Sequence, residues 1–278
     1  EIKIDAAEQM LAAFSSLRKG GKLEFLKAQE YLSFEIVGLP EDVRFYISVP
    51  GKLRDMVEKQ IHGAYPGAEI QEAKEYNIFS EKGKVAFSEL QFRSAPFFPI
   101  KVYKDLPTDP LALITSALAK MQPGEGAAIQ LLFTPANRKW ASSGKRFLAK
   151  TKKTESDPEK ATYKTDPKQL EAIENKCTKP GFEVSLKMVV SSPTMESAKA
   201  HLANLKAAFE QFNSDQNSFK SRKIRLSKLF MTDFIYRYPP QFYFFRNKII
   251  LSAEELAGIF HLPNKTVETP FIFWLNAK

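Results

Sequence analysis

A strand–strand–helix order recurs along this chain, and that recurrence limits it to folds in which amphipathic helices cover a sheet. The β-rich runs Tyr31–Val37 and Val43–Val49 flank Gly38, Leu39, Pro40, Glu41 and Asp42, the pattern of a hairpin. Leu53, Met56, Val57, Ile61 and Ala64 then fall on one helical face. The order returns with strand-like Val85–Arg93 and Phe97–Tyr103, and with a helix opened by Asp109 as N-cap and Pro110 at its first position. Its apolar face is Leu113, Ile114, Ala117, Leu118 and Met121, and a strand over Ala127–Phe133 follows. A third, shorter unit has a strand at Phe182–Val190, a cap at Ser192 with Pro193, and a helix face of Ala198, Leu202, Leu205, Phe209 and Phe212.

These units predict an α+β fold: two consecutive modules of antiparallel or mixed sheet with helices packed on one face, in ferredoxin-like β-β-α-β units. An opening helix carries Ala6, Met10, Leu11, Phe14 and Leu17 before Gly20 and Gly21. Lys150–Lys164 is polar and charged, which places a module boundary there, and Asp166 with Pro167 opens another helix to about Lys176. The expected division is 1–25 as opening helix and linker, 26–160 as the first module and 161–278 as the second. Near the end, Ser252 and Glu255 form a capping box, with Leu251 and Leu256 placed as a hydrophobic staple. That helix must stop before Pro263, which has no N–H to give.

Chemistry is harder to find. Phosphate-loop hydrolysis needs G-x-x-x-x-G-K-[ST], and the nearest stretch, Gly144-Lys145, has Lys139 in place of the first glycine and Arg146 in place of the hydroxyl. That stretch reads as a turn within a basic patch. No G-x-G-x-x-G or G-x-S-x-G pattern occurs. His62, His201 and His261 fall in three separate predicted helices, so neither a metal site nor a cofactor is expected. No catalytic residues are assigned. Cys177 is the single cysteine, which rules out an intrachain disulfide and suits a reducing, cytoplasmic setting. No apolar run reaches the roughly 20 residues of a membrane-crossing helix. The chain opens at Glu1 and closes after Phe271, Ile272, Phe273, Trp274 and Leu275, which raises the expectation that it is cut from a larger protein.

The excess of 41 Lys and Arg over 32 Asp and Glu is confined to two places. Arg138, Lys139, Lys145, Arg146, Lys150, Lys152 and Lys153 form an acid-free run that includes Trp140 and Phe147. Lys220, Arg222, Lys223, Arg225 and Lys228 form a second run, alternating with Ile224, Leu226 and Leu229 in the manner of a strand with one basic face. Outside them, acids outnumber bases. Both runs are candidate nucleic-acid or anion-binding sites, or simply solvated surface. The stretch Tyr236-Arg-Tyr-Pro-Pro-Gln-Phe-Tyr-Phe-Phe-Arg246 adds a candidate partner or membrane contact in Tyr236, Tyr238, Phe242, Tyr243, Phe244 and Phe245. Alternatively its proline pair folds two aromatic strands back on the core.

Two longer stretches carry a family resemblance. One is Phe34-Glu-Ile-Val-Gly-Leu-Pro-Glu-Asp-Val-Arg-Phe-Tyr-Ile-Ser-Val-Pro50 with Leu53–Ile61 and Ala64-Tyr-Pro66. The other is Leu251-Ser-Ala-Glu-Glu-Leu-Ala-Gly-Ile-Phe-His-Leu-Pro263 with Val267-Glu-Thr-Pro270. Together they resemble the region preceding the motor in bacterial type IV secretion and conjugation ATPases of the FtsK/HerA-like superfamily. The resemblance implies a front-end domain for assembly, docking or substrate handling, at the inner face of the cell membrane in the full-length protein. The RecA-like ATPase domain would follow where this chain stops, so the resemblance implies no hydrolysis by these residues. Implied partners are secretion-system subunits and the chain's own ATPase domain, with nucleic acid, an anionic membrane surface and further copies of the chain also open. A free-standing module for nucleic acid or anionic membrane is the alternative.

Overall fold

A computed structural model describes residues 4–18, 29–156, 165–239 and 248–263. Within them seven antiparallel strands form one sheet: β1 (Leu32–Leu39), β2 (Asp42–Ser48), β3 (Lys84–Phe92), β4 (Gly126–Pro135), β5 (Gly181–Ser192), β6 (Phe219–Ser221) and β7 (Ile249–Ser252). Their order is β2-β1-β4-β5-β3-β6. β7 pairs with the first residues of β5, on the same edge that β3 occupies further along. The α+β class and the antiparallel pairing are as the strand pattern implies. The boundary expected near residue 160 falls between β4 and β5, which are neighbours over ten residues, so strands from both expected modules share a single sheet.

Alternation sets the two faces. Phe34, Ile36, Ile129, Leu131, Phe133, Leu186, Met188 and Val190 point to the first face. There they meet α1 (Ile4–Ala13), α2 (Arg54–Ala64), α3 (Leu111–Leu118), α6 (Met195–Ala208) and α8 (Ala253–Ile259). Phe133 anchors this layer, edge-on to Phe34 at 5.0 Å and to Phe182 at 5.8 Å. Such pairs add about 0.5–1.5 kcal/mol beyond the area they bury. The remaining helices, α4 (Lys139–Glu155), α5 (Pro167–Thr178) and α7 (Ser227–Ile235), pack through two further clusters. Ile250 of β7 belongs to the first of these and lies opposite Glu183, while Val189, six residues along β5 and so on the same side, belongs to the second. All three helices therefore cover the second face.

Local signals explain most element ends. Asp166 accepts the Lys168 N–H with Pro167 at the first helical position, and Ser252 and Glu255 close the reciprocal capping box that opens α8. Asp109 accepts the Leu111 N–H at the start of α3. Three expectations change. α6 is capped by Thr194, because the Ser192 hydroxyl still belongs to β5 and donates to Glu125. Phe97–Tyr103 is no strand: Pro96 and Pro99 cannot donate to a ladder, and the segment instead supplies Phe97 and Phe98 to the α4–α5 cluster and Ile100 to the main core. α8 ends at Ile259, which leaves His261 beyond it.

Candidate docking face

The second face carries a feature that alternation alone reads as solvent-facing. Tyr46, Glu35, Gln130, Lys187 and Glu89 are successive cross-strand partners over β2, β1, β4, β5 and β3. Arg222 extends the row, its N–H donating to the Glu89 carbonyl and its guanidinium lying 2.8 Å from the Glu89 carboxylate. Glu35, Gln130, Lys187 and Glu89 are all buried, because α7 lies over them. Phe230 and Phe234, four residues apart and so on one helical face, anchor α7 beside the row, Phe230 stacking on Phe87 at 4.7 Å.

A buried charge must be paired or bonded, and the charged members of this row are, while Gln130 Oε1 is buried without a partner among the described residues. Gln130 Nε2 donates to Glu35 Oε1 and to the Phe234 carbonyl. Lys187 Nζ donates to the carbonyls of Asp233 and Tyr238, where the negative end of the α7 dipole favours a cation. Burial nevertheless depresses its pKa to about 8, against the opposing pull of Glu89, Asp233 and Glu35. Arg237 grips Glu35 with two nitrogens and the exposed Glu75 with two. Burial would lower the Arg237 pKa, but these carboxylates outweigh it and hold the guanidinium charged.

Arg237 also ends the helix. The Tyr238 N–H donates to the Asp233 carbonyl and the Arg237 N–H to the Phe234 carbonyl, the paired bonds of a Schellman cap. The cap needs a left-handed residue, and Arg237 adopts φ +56° where glycine is usual. One backbone reversal thus drives a guanidinium down to Glu35 and turns its neighbours outward. Tyr236 and Tyr238 are 65% and 49% exposed, with rings stacked at 5.8 Å and 19°. These two candidates form no part of the core. Phe242, Tyr243, Phe244 and Phe245 lie outside the described residues.

The second basic run is not a strand with one basic face. β6 ends at Ser221 and α7 begins at Ser227, so its members have different fates. Lys220 is half-buried in β6 and Arg222 is committed to Glu89, while Lys223, Arg225 and Lys228 are exposed beside an exposed Leu226.

The first run forms α4. Arg138, Lys139, Lys145, Arg146, Lys150, Lys152 and Lys153 are all exposed, and Arg138 also donates to the Cys177 carbonyl, tying α4 to the end of α5. Lys139, Arg146, Lys150 and Lys153 follow one another at helical spacing, a line of charge roughly 21 Å long at 1.5 Å per residue. Trp140 and Phe147 do not join it. Trp140 is buried against Gly181, and Phe147 packs on Phe97 and Phe98 at 5.3 Å. Gly144 sits inside the helix rather than in the expected turn, and a Cβ there would lie 2.5 Å from Cys177 Sγ. Glycine is what lets α4 and α5 approach.

The histidines stay apart. His62 is exposed on α2, His201 pairs with Glu125, and His261 bridges the Ala257 carbonyl and Asp109. Among the described residues no group of His, Cys, Asp or Glu is placed to hold a metal ion, and no helix is long and apolar enough to cross a membrane. What the second face does gather is α4 with its basic line, and α7 with exposed bases at one end and a tyrosine pair at the other.

Fold and surface together define a single-sheet α+β domain with its basic and aromatic display on one side. The chain belongs to the family Domain of unknown function (DUF8128), whose model matches residues 1–275. No protein of curated function matches it.

Proposed function

We propose that the chain is a non-catalytic N-terminal domain of a membrane-associated type IV secretion or conjugative transfer ATPase, serving assembly, docking or substrate handling. The supporting observation is that α4, α7 and the exposed tyrosines all belong to the second face, an arrangement suited to meeting a partner. The two stretches that carry the family resemblance also pack on each other: Phe260 lies 4.8 Å from Phe34 and 5.8 Å from Phe45. On this reading the partners are other secretion-system subunits and the ATPase domain of the same protein, at the cytoplasmic side of the membrane. The coding sequence after Lys278 tests it. An open frame leading into a G-x-x-x-x-G-K-[ST] motor is expected, and an immediate stop codon overturns the proposal.

The line Lys139, Arg146, Lys150 and Lys153 favours a second reading, a free-standing module for nucleic acid or anionic membrane. Binding of duplex DNA or of phosphatidylserine vesicles that weakens steeply with salt would support it. Failure of both at low salt removes it.

A further inference from the structure

Among the described residues β6, three residues long, ends the sheet beside an open cleft of about 420 Å³ between α6 and the β3–β6 pair. Leu90, Phe209 and Phe219 line the cleft together with Arg93, Lys206 and Lys220, against a single acid, Glu210. Neither Lys206 nor Lys220 has an ion-pair partner among the described residues.

The phase of the β3–β6 ladder shows what the edge offers. The Arg93 N–H donates to the Ser218 carbonyl and the Arg222 N–H to the Glu89 carbonyl. Lys220, paired with Gln91, lies in the same phase. Alternation in an antiparallel ladder therefore turns the backbone groups of Phe219 and Ser221 away from β3. Asn213 Oδ1 accepts the Phe219 N–H. The Ser221 N–H, the Ser221 carbonyl and the Phe219 carbonyl have no protein partner among the described residues. One donor and two acceptors in a row are what an added antiparallel strand satisfies.

We propose that the groove between α6 and β6 binds an extended acidic peptide of a partner protein, which joins the sheet as a strand beside Ser221. On the α6 side its apolar side chains reach Leu90 and Phe219, where Lys206 adds positive charge, and on the other side its carboxylates meet Lys220, which shares the face of Gln91. A small anion would use the cations and leave the edge groups unmatched, which is why the groove suits a strand better. The proposal is independent of the assignment to a transfer ATPase, and it stands or falls on binding to the isolated chain.

Fluorescence anisotropy of the whole chain with a labelled octapeptide of alternating Glu and Val tests it, with the Lys–Val counterpart and single-stranded oligothymidine as competing probes. The Glu–Val peptide is expected to saturate and to slow exchange of the Ser221 amide. Lys206→Glu with Lys220→Glu should weaken it about tenfold or more. Ser221→Pro, which removes the edge donor at a position where strands tolerate proline, should abolish binding with little change in thermal midpoint. Should that variant not fold, protection of the Ser221 amide in the unaltered chain decides. Equal affinity for both peptides, an unprotected Ser221 amide, no saturation at millimolar peptide, or tighter oligothymidine binding lost in the Lys206→Glu variant would each overturn the proposal.

Discussion

Arg237 Nε lies 2.7 Å from Glu35 Oε1, which joins residues 202 positions apart over the second face of the sheet. Glu35 is fully buried, so the contact neutralises a carboxylate that water cannot reach. Removing one partner of such a pair costs about 3–5 kcal/mol, because the other charge remains buried. Arg237→Gln is expected to fall in that range in urea unfolding. Arg237→Gly is the sharper comparison: it relieves the left-handed backbone but loses the guanidinium, so it should also destabilise. Stability equal to the unaltered chain in Arg237→Gly would show that the strain, rather than the ion pair, governs this site.

Glu125 provides a pH dependence. Burial alone would raise its pKa, but hydrogen bonds from Ser192, Ser197 and the Gln122 N–H, with His201 beside it, bring it from 4.5 to about 2. A carboxylate with a depressed folded pKa contributes stability above its unfolded pKa and loses it as pH falls through the folded one. The contribution is therefore complete above pH 4.5 and lost between there and about 2. Glu125→Gln should lower stability at neutral pH and flatten the acid limb of a stability–pH curve over that window. An acid limb of unchanged slope would rule out the assignment.

How much of this was legible beforehand divides along a physical line. Features set within a few residues could be read: the β1–β2 hairpin, the caps at Asp166 and Ser252, and the strands β3, β4 and β5. The row Glu35, Gln130, Lys187 and Glu89 could not, because each member alternates with apolar neighbours just as a wetted strand face does. Its burial depends on α7, and its alignment on strand register, neither of which is local. The same non-locality hid the single sheet, since β5 inserts between β4 and β3. Phe97–Tyr103 looked like a strand through its aromatics, while Pro96 and Pro99 argued against it.

The second basic run should split into two classes under mutation. Arg222 is tied to the buried Glu89, whereas Lys223 and Arg225 are exposed. Arg222→Gln is expected to lower the unfolding midpoint clearly, since it removes the guanidinium that lies 2.8 Å from the buried Glu89 carboxylate. Lys223→Gln and Arg225→Gln should stay within about 0.5 kcal/mol of the unaltered chain. Any anion binding by this run should then be lost in the exposed pair of variants without loss of stability. A uniform response of all three in thermal unfolding would contradict the distinction.

Gly144→Ala sets helix propensity against packing. In an open helix the change gains about 1 kcal/mol. Here the new Cβ would meet Cys177 Sγ at 2.5 Å and the Phe97 Cβ at 2.9 Å, both in the tightly packed α4–α5 cluster. Overpacking of this kind costs typically about 1–3 kcal/mol, so net destabilisation is expected in denaturant unfolding. Cys177→Ala shortens the opposing side chain and should partly rescue Gly144→Ala, although alone it leaves a small void. A double-mutant cycle measures this directly: a favourable coupling between the two substitutions is expected, and strict additivity would mean that the helices do not meet at Gly144.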